Sequence, residues 1–127
     1  MLIDANGHLK LTDFGLSKMN FTSETQMTHT FCGSPEYMAP EMLKQLGHGR
    51  ALDFYQLGAL LYEMLTGLPP FYSDNRIKMY QDIVSEEKEA PRNGLSREAE
   101  ALVRRLLERD PKKRIVKVEE IKRQPFC

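Results

Sequence analysis

The chain has two cysteines, Cys32 and Cys127, in 127 residues. Neither stands at metal-ligand spacing from the other, which excludes a disulfide scaffold and a zinc module as the organising principle. Charge of one sign is not in excess: Lys+Arg and Asp+Glu each number 18, for a formal net charge of zero. Bulk electrostatic attraction therefore cannot underlie nucleic-acid or membrane binding. No long apolar run is present. The longest, around Leu57 to Leu65, is broken by Glu63 and is too short to span a bilayer. The N-terminus has no basic start and carries Asp4, so no signal peptide is expected, and the compartment expected is cytoplasm or nucleus. There is no internal repeat and no low-complexity tract. What remains is 41% hydrophobic and 28% charged residues, a soluble globular balance. The length suits one domain with a real core.

Leu2-Ile3 and Leu9 to Leu11 flank Asn6-Gly7, whose tolerance of positive φ predicts a short β-hairpin. Asp13-Phe14-Gly15 comes next. Positions 17–35 are rich in Ser, Thr, Asn and Gln without a sustained period, which predicts a long surface loop. Pro40 suits the first turn of a short helix reaching about Leu46, broken by Gly47 and Gly49. From Ala51 to Thr66 apolar residues cover almost every face, which predicts a helix buried nearly all round. Gly67 and Pro69-Pro70 end it. Asp74 is placed to cap a helix through about Val84, with Ile77, Tyr80, Ile83 and Val84 on its inner face. A polar connection over 85–94 leads to Ser96, which caps a helix with the stripe Ala99, Leu102, Val103, Leu106 and Leu107. Asp110-Pro111 is expected to end that helix, and a short one is expected from about Val118 to Arg123. From Arg97 onward ten Lys/Arg face six Asp/Glu, which reads as the solvated surface of two helices.

A tripeptide such as Asp13-Phe14-Gly15 says little by itself; the order of the segments downstream says more. Thr30-Phe31-Cys32-Gly33-Ser34-Pro35-Glu36-Tyr37-Met38 leads into Ala39-Pro40-Glu41. Then come Asp53-Phe54-Tyr55-Gln56-Leu57-Gly58, Gly67-Leu68-Pro69-Pro70-Phe71 and Leu106-Leu107-Glu108-Arg109-Asp110-Pro111. This succession resembles the second half of a serine/threonine protein kinase domain. Within that superfamily the run from Thr30 to Tyr37 looks like the AGC group, in particular its ribosomal-protein kinase and Akt-like branches. The resemblance covers essentially the whole chain. It implies a mainly α fold with a short N-terminal β-hairpin, part of the C-terminal (large) lobe of a kinase. Positions 1–127 then form one partial kinase domain, from the Asp-Phe-Gly motif through the last large-lobe helix. Small lobe and catalytic loop are absent.

The resemblance assigns roles residue by residue. Asp13 is similar to the aspartate that binds the Mg2+ bridging the phosphates of ATP, a job suited to a hard carboxylate. Leu2 and Thr12 stand where the family contacts adenine, with ordinary hairpin core as the other reading of Leu2. Thr30 matches the activation-loop phosphorylation site served by an upstream activating kinase, and Lys18 a basic partner for that phosphate. Thr22, Thr25 and Thr28 read as ordinary exposed threonines. Ser34, Glu36 and Glu63 resemble substrate-binding positions, the two carboxylates favouring a protein or peptide with basic residues. Glu63 sits in apolar surroundings and calls for a partner. Glu41 and Arg114 look like a structural ion pair. Asp53 resembles the helix aspartate that accepts N–H bonds from the catalytic loop, and is expected to lack them here. Phe54 and Tyr55 stand where the family often has tryptophan, of which this chain has none.

Phosphoryl transfer also needs a Gly-rich lid, an ATP-positioning lysine with its glutamate, and a catalytic-loop Asp and Asn. These 127 residues contain none, and by the family's spacing the metal-binding Asn would fall just before Met1. No catalytic residue is therefore assigned. The parent domain is expected to transfer the ATP γ-phosphoryl group to Ser or Thr, and this chain to be a truncated, inactive piece of it. The competing reading is a non-catalytic protein-binding module with a pseudokinase-like docking surface.

Overall fold

The computed structural model describes residues 1–19, 26–29, 33–85 and 94–127. Strands β1 (Leu2–Ile3) and β2 (Leu9–Lys10) pair antiparallel, with Leu2 opposite Lys10 and Ile3 opposite Leu9. Their turn is organised by one side chain. Asp4 Oδ1 accepts from the backbone N–H groups of Asn6 and His8, each at 2.9 Å, and Gly7 supplies the positive φ of 83°. These bonds hold the Asp4 carboxyl below its usual value, the His8 N–H contributing most. The hairpin is as expected, but it is not core: Leu2, Ile3, Leu9 and Leu11 are all exposed.

A single 3-10 turn, Pro35–Tyr37, leads into α1 (Pro40–Leu43), which starts on a proline whose missing N–H is no loss at that position. α1 is shorter than the expected run to Leu46. Gln45 and Gly47 both take positive φ, at 54° and 81°, and the chain turns there. α2 (Ala51–Thr66) is the central helix and ends on Gly67 in the left-handed region, whose N–H reaches Glu63 O at 2.7 Å. α3 (Arg76–Val84), α4 (Arg97–Leu106) and α5 (Val118–Lys122) complete the described elements.

α2 and α4 form the spine of the core. Ala39, Met42, Leu52, Tyr55, Ala59, Tyr62, Val103 and Leu107 make one buried cluster, and Leu102, Leu106 and Ile115 a second beside it. The helices close on Gly58. A Cβ there would stand 2.7 Å from Leu106 Cβ and 3.3 Å from Leu107 Cδ2. Gly58→Ala is therefore expected to lower stability. Overpacking costs about 1–3 kcal/mol and outweighs the ~1 kcal/mol that alanine gains over glycine in a helix. A higher urea midpoint for the variant would contradict this packing.

Three details correct the sequence expectation. α3 is capped by Asn75, not Asp74: its Oδ1 accepts from Ile77 N at 3.0 Å and Lys78 N at 3.2 Å. Met79 and Ile83 pack inward against Phe71, Ile83 as expected, whereas Ile77, expected on the same face, is 70% exposed. α4 stops at Leu106, where Leu107 N still reaches Val103 O, well before Asp110-Pro111. α2 is also not covered on every side. Its inner residues are buried, but Leu57 and Leu65 are partly exposed and Met64 is 59% exposed.

Candidate functional site

The best-defined polar contact ties α1 to the segment after α4. Arg114 Nη1 and Nη2 donate to Glu41 Oε1 and Oε2 at 2.7 and 3.0 Å, a bidentate pair with both side chains essentially out of solvent. The remaining donors are used too. Nε reaches Glu108 O at 2.8 Å and Nη1 reaches Ala51 O at 2.9 Å, while the guanidinium lies 5.0 Å from the Tyr55 ring centroid. A planar fork with five N–H groups meets this demand; an ammonium would not. Arg109 makes a parallel tie, donating to Ile83 O at 3.1 Å and stacking over Phe71.

Around the 3-10 turn the chain gathers carboxylates and hydroxyls. Ser34 is exposed at its start and Glu36 half-buried within it. Tyr37 donates its hydroxyl to Glu63 Oε2 on α2. That bond, with desolvation and the charges of Glu63 and Glu36, pushes the Tyr37 phenol up to about 12. Glu63 thus has the partner its apolar helix required, and the partner comes from the turn that carries Glu36. Nothing in the sequence pattern points to Tyr37, since the turn has no periodicity. Tyr72 donates to Asp74 Oδ1 at 3.2 Å, and this bond, with the charge of Asp74 and then that of Glu36, raises its phenol above the ordinary value.

Asp13 stands directly after the hairpin, exposed, with a φ of 63° that few non-glycine residues adopt. Leu2 and Thr12 lie on the same hairpin unit, Leu2 exposed and Thr12 half-buried. No three His, Cys, Asp or Glu side chains among the described residues come together as a metal cradle. One carboxylate does not make a magnesium site, so the donors described here do not by themselves fit the ion. Lys18 Nζ donates to Thr28 Oγ1 at 2.7 Å. Thr30, Thr22 and Thr25 lie outside the described residues. Asp53, in the first turn of α2, is exposed. Neighbouring atoms still desolvate it enough to push its carboxyl up, against the opposing charges of Arg50 and His48. No described helix is long and apolar enough to cross a membrane.

The protein kinase domain matches residues 1–127, the whole chain. The RAC family serine/threonine-protein kinase homolog of Dictyostelium discoideum is 48% identical over 126 residues, covering 99% of this chain and 28% of that protein. Protein kinase 2 of the same organism is 54% identical over 115 residues, covering 91% of this chain and 23% of its own. The serine/threonine-protein kinase YPK1 of Saccharomyces cerevisiae is 48% identical over 128 residues, covering 99% and 18%. The chain belongs to the protein kinase domain family. Within it the relatives are AGC-type serine/threonine kinases. The chain spans little more than a quarter of the longest-covered of these relatives.

Proposed function

We propose that these residues serve a serine/threonine protein kinase that transfers the γ-phosphoryl group of ATP to proteins with basic residues near the target hydroxyl. The observation that carries the reading is the match of the protein kinase domain to the entire chain. Asp13 supplies one hard carboxylate toward Mg2+–ATP, and Leu2 and Thr12 lie beside the adenine. A magnesium ion held there would supply positive charge toward the phosphates, and the other donors it would need are not among the residues described here. Ser34 lies beside the target hydroxyl. Glu36 and Glu63 receive the cations of the substrate, with Glu63 held in one orientation by Tyr37. Arg pairs with such carboxylates through two parallel hydrogen bonds, which gives direction as well as attraction. Thr30 takes a phosphate from an upstream kinase, and Lys18 turns from Thr28 to meet it. The protein works in the cytoplasm or nucleus. By themselves the 127 residues do not transfer phosphate, because they hold neither an ATP-positioning lysine nor a catalytic-loop aspartate.

Grafting these residues into the matching region of the Dictyostelium RAC homolog tests the substrate assignment. In the graft, Glu63→Gln is expected to raise KM for an arginine-containing serine peptide by about 10- to 150-fold, the loss of one charge-assisted hydrogen bond of ~1.5–3 kcal/mol. The same substitution should leave a peptide without basic residues unaffected. An equal effect on both peptides would remove Glu63 from substrate recognition. Tyr37→Phe should act in the same direction and more weakly, since it frees the carboxylate without deleting it.

A further inference from the structure

Asn6-Gly7 stands at the tip of the hairpin with both residues exposed. Gly7 has a φ of 83°, and a Cβ placed on it would meet nothing within 4 Å. The peptide nitrogen that follows Asn6 therefore carries no shielding side chain and faces open space. Four bonds close the turn. Asp4 Oδ1 accepts from Asn6 N and His8 N, Gly7 N donates to Asp4 O at 3.0 Å, and Asp4 N donates to His8 O at 2.9 Å. None of the four holds the Asn6 side-chain amide.

In the closed turn the Gly7 N–H points at Asp4 O and is kept from its neighbour's side chain. Little apolar burial keeps the turn closed. The paired strands are two residues each, and Leu2, Ile3, Leu9 and Leu11 are exposed. A two-stranded unit of this kind is marginally stable by itself and opens readily.

We propose that Asn6 is a self-modifying site, converted through a cyclic imide when the hairpin opens and guarded by Asp4 while it is closed. In the open form the Gly7 nitrogen gives its proton to solvent hydroxide and attacks the Asn6 side-chain carbonyl carbon. The new C–N bond closes the imide ring. The bond to the amide nitrogen breaks, and ammonia leaves with a proton from water. A second water then opens the ring at either carbonyl, giving aspartate or isoaspartate. No oxidant or reductant takes part. Isoaspartate routes the main chain through Cβ, and either product sets a new carboxylate beside that of Asp4. The pairings of Leu2 with Lys10 and Ile3 with Leu9 then lose their turn. β2 leads through Leu11 to Thr12 and Asp13, so the change reaches those positions. The chemistry holds whether or not the kinase reading does.

Peptide mass analysis of the full 127-residue chain, held at neutral pH and 37 °C, tests it, with isoaspartate identified by labelled methyl transfer from an isoaspartyl methyltransferase. Asn6 is expected to convert within about tenfold of its rate in a free peptide of the same residues, as a marginal hairpin allows. Asp4→Ala removes both side-chain bonds and should speed conversion about two- to tenfold. Asp4→Asn keeps the Oδ1 acceptor and should be slower than Asp4→Ala. Asn93-Gly94, the other Asn-Gly of the chain, is read in the same digest and should not respond to either substitution. Hydrogen exchange on the converted fraction should show lost protection at the Asp4 and His8 amides and none lost at Leu107 N. An intact Asn6 where the free peptide converts, an Asp4→Ala rate equal to that of the parent chain, or retained Asp4 and His8 protection after conversion would each overturn the proposal.

Discussion

Arg114→Ala and Glu41→Ala are each expected to destabilise the chain by ~3–5 kcal/mol, because each strands a buried, uncompensated charge. Domains of this kind have only about 5–15 kcal/mol in hand, so either variant should sit near the edge of unfolding at room temperature. The geometry also ranks them. Glu41→Ala leaves a guanidinium that still donates to the carbonyls of Glu108 and Ala51 and rests on Tyr55. Arg114→Ala leaves a carboxylate with no described donor of comparable strength and opens a void against Tyr55. It should be the worse of the two. Urea denaturation of the single and double variants gives the coupling, and a double variant much less destabilised than the sum of the singles is the expected result. Strict additivity would mean that the two side chains do not stabilise one another.

That pair lies 73 positions apart in sequence. Periodicity cannot join residues so separated; only the family resemblance links them before the fold is known. The helices are legible for a different reason. α4 carries its apolar stripe and its Ser96 cap in an unambiguous phase, and Ala99 N donates to Ser96 Oγ at 3.2 Å as that phase requires. At α3 the sequence offers two adjacent caps, Asp74 and Asn75, and local chemistry cannot choose between them. In the fold Asn75 makes both cap bonds, while Met79 and Ile83 pack on Phe71. On α2, apolarity indicates that a face avoids water without saying what covers it, so Leu57, Met64 and Leu65 read as inside and lie outside.

The site divides along the same line. Glu63 signals its need for a partner by its surroundings, but Tyr37 is identifiable only once the 3-10 turn is set against α2. The antiparallel backbone bridge between Thr28 and His48 has no sequence signal at all, since both residues sit in polar stretches without alternation. Gly47 and Gly49 are legible as helix breakers, whereas their role in admitting the 26–29 segment depends on a contact between distant parts of the chain.

The second large effect concerns Asp13. In the grafted kinase, Asp13→Asn is expected to lower phosphoryl transfer by at least ~100-fold. On the proposed assignment the change replaces the carboxylate facing Mg2+–ATP by a neutral amide, and losing one such electrostatic contribution costs about 10²–10³ in rate. The variant is nearly isosteric and Asp13 is exposed, so the fold should be unaffected and the thermal midpoint unchanged. Asparagine tolerates the positive φ found here, so backbone strain does not confuse the comparison.

Transfer of labelled phosphate from ATP to a serine peptide tests the central claim most directly, measured in parallel on the grafted kinase, on its Asp13→Asn variant and on the 127-residue chain alone. The account predicts transfer by the graft, a loss of at least ~100-fold on Asp13→Asn, and none by the chain alone. An inactive graft that is folded, or equal transfer by the graft and its Asp13→Asn variant, would contradict it.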